Sequence, residues 1–272
     1  MKLKINMGHF TNKVIWITGA SSGIGEALAY KLSVEGARLI LSSRRQAELE
    51  RVRKGCTNVG LVHVLPLDLQ DTASLAGKTA SAIALFGQID IMVHNGGISQ
   101  RSLVTETGMD VQRRVMELDY FSYVELTNHL LPHFLQRGAG HFVVVSSVMG
   151  KLGTPMRSAY AAAKHALHGF FDCLRAEVWH KHIKVTVLTP GYIKTNISLN
   201  AVTGDGSSLG VVGQDIGKGL DAGKAADQIL RAIASGKFEV YIGKFGMERV
   251  GLWMNRFFPA FVIRQASKFA PK

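Results

Sequence analysis

Short runs of apolar and β-branched residues recur along the chain, separated by longer stretches whose apolar positions return every three to four residues. The runs are Val14 to Thr18, Leu39 to Ser42, Leu61 to Leu65, Ile89 to His94, His141 to Ser146, Val185 to Thr189 and Phe238 to Ile242. The helical stretches between them are Ile24 to Glu35, Gln46 to Arg53, Ser74 to Phe86, Val111 to Leu135, Ser158 to His180 and Ala225 to Ala234. Strands alternating with helices in this way predict an α/β fold. The expected architecture is a single-domain, Rossmann-type doubly wound sheet of about seven parallel strands with helices on both faces.

With 272 residues and 47% hydrophobic content, the chain can bury one large core, so residues 1–272 are expected to form one domain. No period of 20 to 50 residues repeats. The glycine-dense stretch Gly204 to Gly219 is the one long irregular segment, in a loop (192–222) expected to serve as a lid or binding loop. Cys56 and Cys173 stand in unrelated contexts, and MKLKINMGHF has neither an apolar core nor a cleavage site. A reduced, cytoplasmic location is the expectation. No apolar stretch approaches the ~20 residues that a spanning helix needs. The net charge of +12 is scattered over the chain without an arginine-rich block, which speaks against nucleic acid as a partner. A basic surface that attracts a polyanionic cofactor and acidic lipids accounts for the charge.

Directly after the first run stands TGASSGIG, Thr18 to Gly25, leading into a helix with apolar Ile24, Leu28 and Leu32. Glycines between a strand and a helix are the signature of a dinucleotide site. Gly19 permits the tight turn, Gly23 lets backbone approach a pyrophosphate, and Gly25 lets the helix pack on the sheet. Ser21, Ser22 and Ile24 lie in the same turn, where the helix N-terminal amides face the phosphates. At the end of the second run an acid would bind a ribose 2′-hydroxyl and a base a 2′-phosphate. The chain has Ser42, Ser43, Arg44 and Arg45 there, with no carboxylate before Glu48 and with Arg44 19 residues beyond Gly25. NADP(H) is therefore expected over NAD(H). Asp68 is placed either to accept from the adenine amino group or to cap the next helix. Asn95, Gly96 and Gly97 give a small-residue turn over the adenosine.

Tyr160 and Lys164 are four residues apart in a helix and project from one face. Ser147 precedes Tyr160 by 13 residues, at the carboxyl end of HFVVVSS, where open α/β sheets bind their ligands. A phenol with a pKa near ~10 needs a neighbouring cation to act as acid and base at neutral pH, and Lys164 supplies one. Ser147 can donate to the same substrate oxygen.

Together these residues resemble the short-chain dehydrogenase/reductase family, marked by TGxxxGxG, an NNAG-like turn, a serine, YxxxK and a PG-containing stretch. The resemblance covers about Asn12 to Gly243. It implies that Ser147, Tyr160 and Lys164 are catalytic, that Tyr160 and Lys164 also touch the cofactor, and that Pro190, Gly191 and Thr195 border the nicotinamide. The segment PGYIKTNISLNAVTGDGS looks most like the family's dehydrogenase/reductase member 7 branch. Two family positions differ. The NNAG turn reads His94, Asn95, Gly96, Gly97, and the family's active-site asparagine, which holds a water beside the lysine, falls on Asp119.

The expected function is thus an NADP-dependent oxidoreductase that interconverts an apolar secondary alcohol and ketone, acting as a homo-oligomer. The alternative is a nucleotide-sensing binding protein on the same fold, for which Asp119 is the support. Leu199, Val202, Leu209 and Val211 suggest an apolar substrate wall. Arg113 and Arg114 read as a solvated face, and His129 and His133 lack the third ligand a zinc site needs. In the tail (245–272), Trp253, Phe257, Phe258 and Phe261 interleave with Arg256, Arg264 and Lys268, and Pro259 interrupts any long helix. Two readings stay open for it: a peripheral contact with an anionic membrane, or packing beside the substrate site or a second subunit.

Overall fold

Apolar from Val14 to Ile17 and buried at every position, a strand such as Val14–Thr18 is stable only where both of its faces are covered. The computed structural model provides that cover; it describes residues 8–211, 217 and 219–271. The start of the N-terminal segment and residues 212–216 and 218 of the glycine-dense loop lie outside the described residues.

The strands are β1 (Val14–Thr18), β2 (Arg38–Ser42), β3 (Val62–Val64), β4 (Ile91–His94), β5 (Gly140–Val145), β6 (Ile183–Pro190) and β7 (Glu239–Ile242). They form one 7-stranded sheet in the order β3-β2-β1-β4-β5-β6-β7, with every pair parallel. The helices are α1 (Gly23–Val34), α2 (Gln46–Lys54), α3 (Thr72–Phe86), α4 (Met109–Met116), α5 (Ser122–Arg137), α6 (Ser158–Glu177), α7 (Ala222–Ser235), α8 (Met247–Phe257) and α9 (Pro259–Ala266).

Successive side chains of a strand point to opposite faces, and the two cores divide accordingly. Ile15 and Ile17 join Leu28, Leu49 and Ile229 beneath α1, α2 and α7. Val14 and Trp16 join Leu75, Leu130, Phe142 and Leu167 beneath α3 to α6. Trp16 is fully buried, and its indole N–H donates to Ser42 Oγ at 2.9 Å, tying β1 to β2. The chain winds outward from β1 to β3, then crosses back to place β4 on the other side of β1. That reversal opens a crevice at the carboxyl ends of β1 and β4.

Several expected boundaries shift for identifiable reasons. β4 begins at Ile91, because the Asp90 carboxylate accepts the Val14 amide at 2.8 Å and pairs with Arg137 at 2.8 Å, closing a turn before the strand. The helix expected over Val111 to Leu135 is broken by one widened π turn, Glu117–Phe121, between α4 and α5. Periodicity cannot distinguish that turn from regular helix, and Asp119 lies inside it. α6 stops at Glu177, and His182 adopts a left-handed conformation at φ 56° on the way into β6. Pro259 does interrupt the tail helix, and it does so as the first residue of α9.

The turn from β1 into α1 has no room for side chains. A Cβ on Gly25 would stand 2.4 Å from the carbonyl oxygen of Gly19, a clash of backbone that no rotamer can relieve. Gly25→Ala is therefore expected to destabilise the fold by roughly 1 to 3 kcal/mol. Thermal denaturation checks this: the expected result is a melting temperature several degrees below that of the parent protein, and an unchanged value would show that the turn can open.

Candidate active site

The glycine turn after β1 is held against the turn after β4. Gly19 takes φ 64°, and a Cβ there would fall 2.7 Å from Gly96 Cα, so the two turns meet backbone to backbone. Thr18 Oγ1 accepts the amides of Asn95 at 3.0 Å and Gly96 at 3.1 Å and donates to the Val93 carbonyl at 3.3 Å. Asn95 Nδ2 returns two bonds, to the carbonyls of Thr18 at 3.0 Å and Gly19 at 3.3 Å. Thr18 was part of the recognised motif but had no role there. Its function as a clamp becomes visible only when the strand order sets β1 beside β4.

Between these turns lies a crevice of about 450 Å³. From the expected set it is lined by Gly19, Ser21, Ser22, Gly23, Ile24, Arg44, Asp68, Asn95 and Gly96, with Thr195 on its far side. Gly25 stands behind the turn, packing α1 onto it. α1 begins at Gly23, so its first turn opens onto the crevice as an anion site requires. Asp68 Oδ1 accepts the Gln70 amide at 3.0 Å, while Asp71 occupies the position that starts α3. Asp68 therefore faces the crevice and does not cap the helix.

Ser43, Arg45 and Arg114 line the same crevice. Arg114 was expected on a solvated face, but α4 turns it inward, where Nη1 approaches the Gly206 carbonyl at 3.5 Å. Only the packing of α4 against the loop could reveal this. Glu48 is engaged by Arg51 at 2.9 Å, leaving Asp68 as the one acid among the described residues of the crevice wall.

A second cavity of about 380 Å³ adjoins the first, with Asn95, Gly97 and Thr195 common to both walls. It gathers Ser147, Tyr160, Lys164, Asp119, Pro190, Gly191 and Thr195. Ser147 follows β5, and its Oγ accepts the Met149 amide at 3.1 Å. Tyr160 and Lys164 occupy the first turns of α6, with Lys164 Nζ 5.7 Å from the Tyr160 ring centroid and 5.3 Å from that of Tyr123. The ammonium also donates to the Val145 carbonyl at 3.3 Å.

Asp119 meets Lys164 directly. Its Oδ2 lies 3.2 Å from Lys164 Nζ, and its Oδ1 accepts the Ile98 amide at 2.8 Å. The family resemblance placed Asp119 at the position of an asparagine that holds a water beside the lysine, and here its carboxylate also contacts the ammonium directly. Burial raises the Asp119 pKa above the ordinary carboxylate value, against the opposing pull of Lys164 and the Ile98 amide. Burial also disfavours the Lys164 ammonium, but the charge of Asp119, with Tyr123 and Tyr160 after it, outweighs that and holds the lysine above its ordinary value. The two groups titrate as a pair.

His94 is fully buried, and burial lowers its pKa to about 3, so the ring is neutral. It bonds Thr127 at 3.0 Å and stacks on Tyr123 at 4.9 Å, supporting the aromatic wall that faces Lys164.

The apolar part of the second cavity comes from unexpected places. Val148, Met149 and Leu152 after β5, and Met247 and Val262 of the tail, form it. Of the loop residues expected there, Val202 lines the crevice, Val211 is exposed, and neither Leu199 nor Leu209 borders either cavity. The loop contributes Ile197 and Ser198 in their place.

Comparisons with known proteins show the family and the fold. The family model described as short chain dehydrogenase matches residues 13–205. A dehydrogenase/reductase SDR family protein 7-like of Anopheles gambiae is 44% identical over 96% of this chain and 84% of its own length. Dehydrogenase/reductase SDR family member 7B of Mus musculus is 41% identical over 87% of this chain and 75% of its own. Among solved structures, a short-chain dehydrogenase from Streptomyces avermitilis superposes with a TM-score of 0.79 at 28% identity, covering 95% of this chain and 97% of that one. A short chain dehydrogenase/reductase from Burkholderia phymatum, solved in complex with NAD, gives a TM-score of 0.81 at 20% identity, covering 93% and 96%. The chain belongs to the short-chain dehydrogenase/reductase family and resembles its member 7 branch.

Proposed function

We propose that the protein is an NADP(H)-dependent oxidoreductase that interconverts an apolar secondary alcohol and the corresponding ketone. The observation that carries this reading is the convergence of Ser147, Tyr160 and Lys164 on one cavity beside the glycine-lined crevice. Membership of the family supports dehydrogenase or reductase activity with a nicotinamide dinucleotide. The crevice fits that cofactor, because its floor is bare backbone at Gly19, Gly23 and Gly96, positions where a Cβ would collide or be strained.

In this reading the turn Gly19 to Gly25 holds the pyrophosphate, Asn95 and Gly96 cover the adenosine, and Asp68 meets the adenine. Arg44, with Arg45 and Arg114 near it, takes the 2′-phosphate. Pro190, Gly191 and Thr195 border the nicotinamide end, where Tyr160 and Lys164 also reach. When bound, the cofactor supplies the hydride for reduction or takes it up on oxidation.

Tyr160 gives its phenolic proton to the carbonyl oxygen in reduction and takes the hydroxyl proton in oxidation. Lys164 stabilises the negative charge left on the tyrosine oxygen. The Met149 amide engages one lone pair of Ser147 Oγ, which leaves the hydroxyl hydrogen to point at the substrate oxygen and hold it in place. Asp119 holds Lys164 in position. Val148, Met149, Leu152 and Val262 suit an apolar substrate, while Arg101 and Arg157 also border the cavity. A reducing, cytoplasmic compartment is part of the proposal, since Cys56 and Cys173 are both unpaired.

A screen of ketones with NADPH tests the whole reading, and Tyr160→Phe tests its centre. That variant is expected to lose several orders of magnitude in turnover with NADPH affinity nearly unchanged. Near-normal turnover would remove the proton-transfer role.

Replacing Arg44 with Asp removes one charge-assisted contact and adds repulsion. The ratio of kcat/KM for NADPH over NADH is expected to fall roughly 10- to 100-fold. A parent protein that already prefers NADH would refute the assignment.

Asp119 partly neutralises the cation that favours charge on the Tyr160 oxygen. Asp119→Asn keeps an acceptor for the Ile98 amide and removes that compensation. Activity should persist, and the rise of alcohol oxidation with pH should move to lower pH, because the uncompensated ammonium favours the deprotonated tyrosine. A superimposable pH profile would show that the carboxylate does not act on the tyrosine.

A further inference from the structure

The tail helices have two faces of opposite character. On α8, Glu248, Gly251, Leu252 and Asn255 recur at helical spacing and turn inward. Glu248 accepts the Tyr192 amide at 3.1 Å and the Tyr241 hydroxyl at 2.8 Å, and Asn255 Nδ2 donates to the Lys151 carbonyl at 2.8 Å. Leu252 packs on the cluster that contains Tyr160. On α9, Val262, Gln265 and Ala266 line the same cavity as Tyr160.

The outer face carries Val250, Trp253 and Phe257 on α8 and Phe261 and Ile263 on α9, with Phe258 between them. All are exposed, Trp253 at 61%, Phe257 at 60% and Ile263 at 64%. Neither helix contains a buried residue. Arg249, Arg256, Arg264 and Lys268 accompany this apolar strip. Glu248 is the one acid between Phe245 and Phe269, and its carboxylate is engaged on the inward side.

We propose that the outer face of α8 and α9 lies on an anionic lipid bilayer. Aromatic residues interleaved with cations are what an interfacial helix needs, the rings entering the acyl boundary and the guanidinium groups meeting lipid phosphates. Charge selects this occupant over a second copy of the chain. Two copies of this face would bring eight like charges together in a drying interface, whereas anionic lipid neutralises them. The helices have 11 and 8 residues, and no described helix is long and apolar enough to cross a membrane, so they lie along the surface. The inward sides of the same helices wall the cavity with Tyr160, which sets the bilayer directly behind that wall.

The test uses the full chain with Trp179→Phe, which leaves Trp253 as the exposed indole and Trp16 buried. Co-sedimentation with phosphatidylcholine vesicles containing phosphatidylserine is compared with pure phosphatidylcholine vesicles. The expected result is at least about tenfold tighter binding to the anionic vesicles, weakened by salt, with Trp253 emission quenched by brominated lipid. Phe257→Ser with Phe261→Ser should abolish binding, and Arg256→Glu with Arg264→Glu should remove the preference for anionic lipid. Binding no stronger than that of the Phe257→Ser, Phe261→Ser variant would overturn the proposal. So would self-association of the parent, measured by analytical ultracentrifugation, that this double variant abolishes while vesicle binding is absent.

Discussion

One cation has to stay charged where water is nearly excluded. Lys164 is 4% exposed, and moving an ammonium out of water costs several kcal/mol unless its surroundings replace the lost hydration. Four groups do so here: the Asp119 carboxylate, the Val145 carbonyl and the ring faces of Tyr123 and Tyr160. Each comes from a different part of the chain, namely the π turn, the end of β5, the start of α5 and α6 itself. Buried at this position, the lysine can therefore keep its charge only when all of these elements are in place around it. In this way the electrostatic requirement of the site is also a requirement on the fold.

The sheet reversal serves the same end. Because β4 returns to the far side of β1, two turns that are distant in sequence meet backbone to backbone at Gly19 and Gly96. Thr18 and Asn95 then exchange the hydrogen bonds that buried backbone groups would otherwise lack. The crevice is a consequence of strand order, and its bare floor is a consequence of glycine at the two places where the turns touch. A side chain at either place would separate β1 from β4 and spoil both the cofactor floor and the wall that Asn95 and Gly97 share with the second cavity.

Strand and helix order were legible in the sequence because the strands, covered on both faces, are short and mostly apolar, while the helices between them return their apolar positions every three to four residues. Ser147, Tyr160 and Lys164 were legible because helical spacing and strand ends are local facts. What local facts could not show were relations between elements. Arg114 looked like a surface residue until α4 was packed against the loop, and Thr18 had no role until β1 lay beside β4. The π turn was invisible because one extra residue in a helical turn leaves hydrophobic periodicity nearly intact. The apolar wall was sought in the loop after β6 because that segment is irregular. The tail supplies part of it instead, through a face whose spacing reads equally well as core or as surface.

Charge acts at two depths in this protein, and the difference in dielectric environment explains why the same residue types do different work. Arg44, Arg45, Arg249 and Arg256 are exposed, so their fields are screened within about 10 Å at ordinary ionic strength. None of them needs a fixed partner, because water supplies one. Lys164 has no such screening, and an unopposed charge at its position would bias every ionisable group around it. Asp119 answers that bias at 3.2 Å, setting a carboxylate against the ammonium inside the fold. A basic protein can in this way carry a positive surface and a buried cation together, since the surface charge is screened and the interior charge is opposed at short range by Asp119.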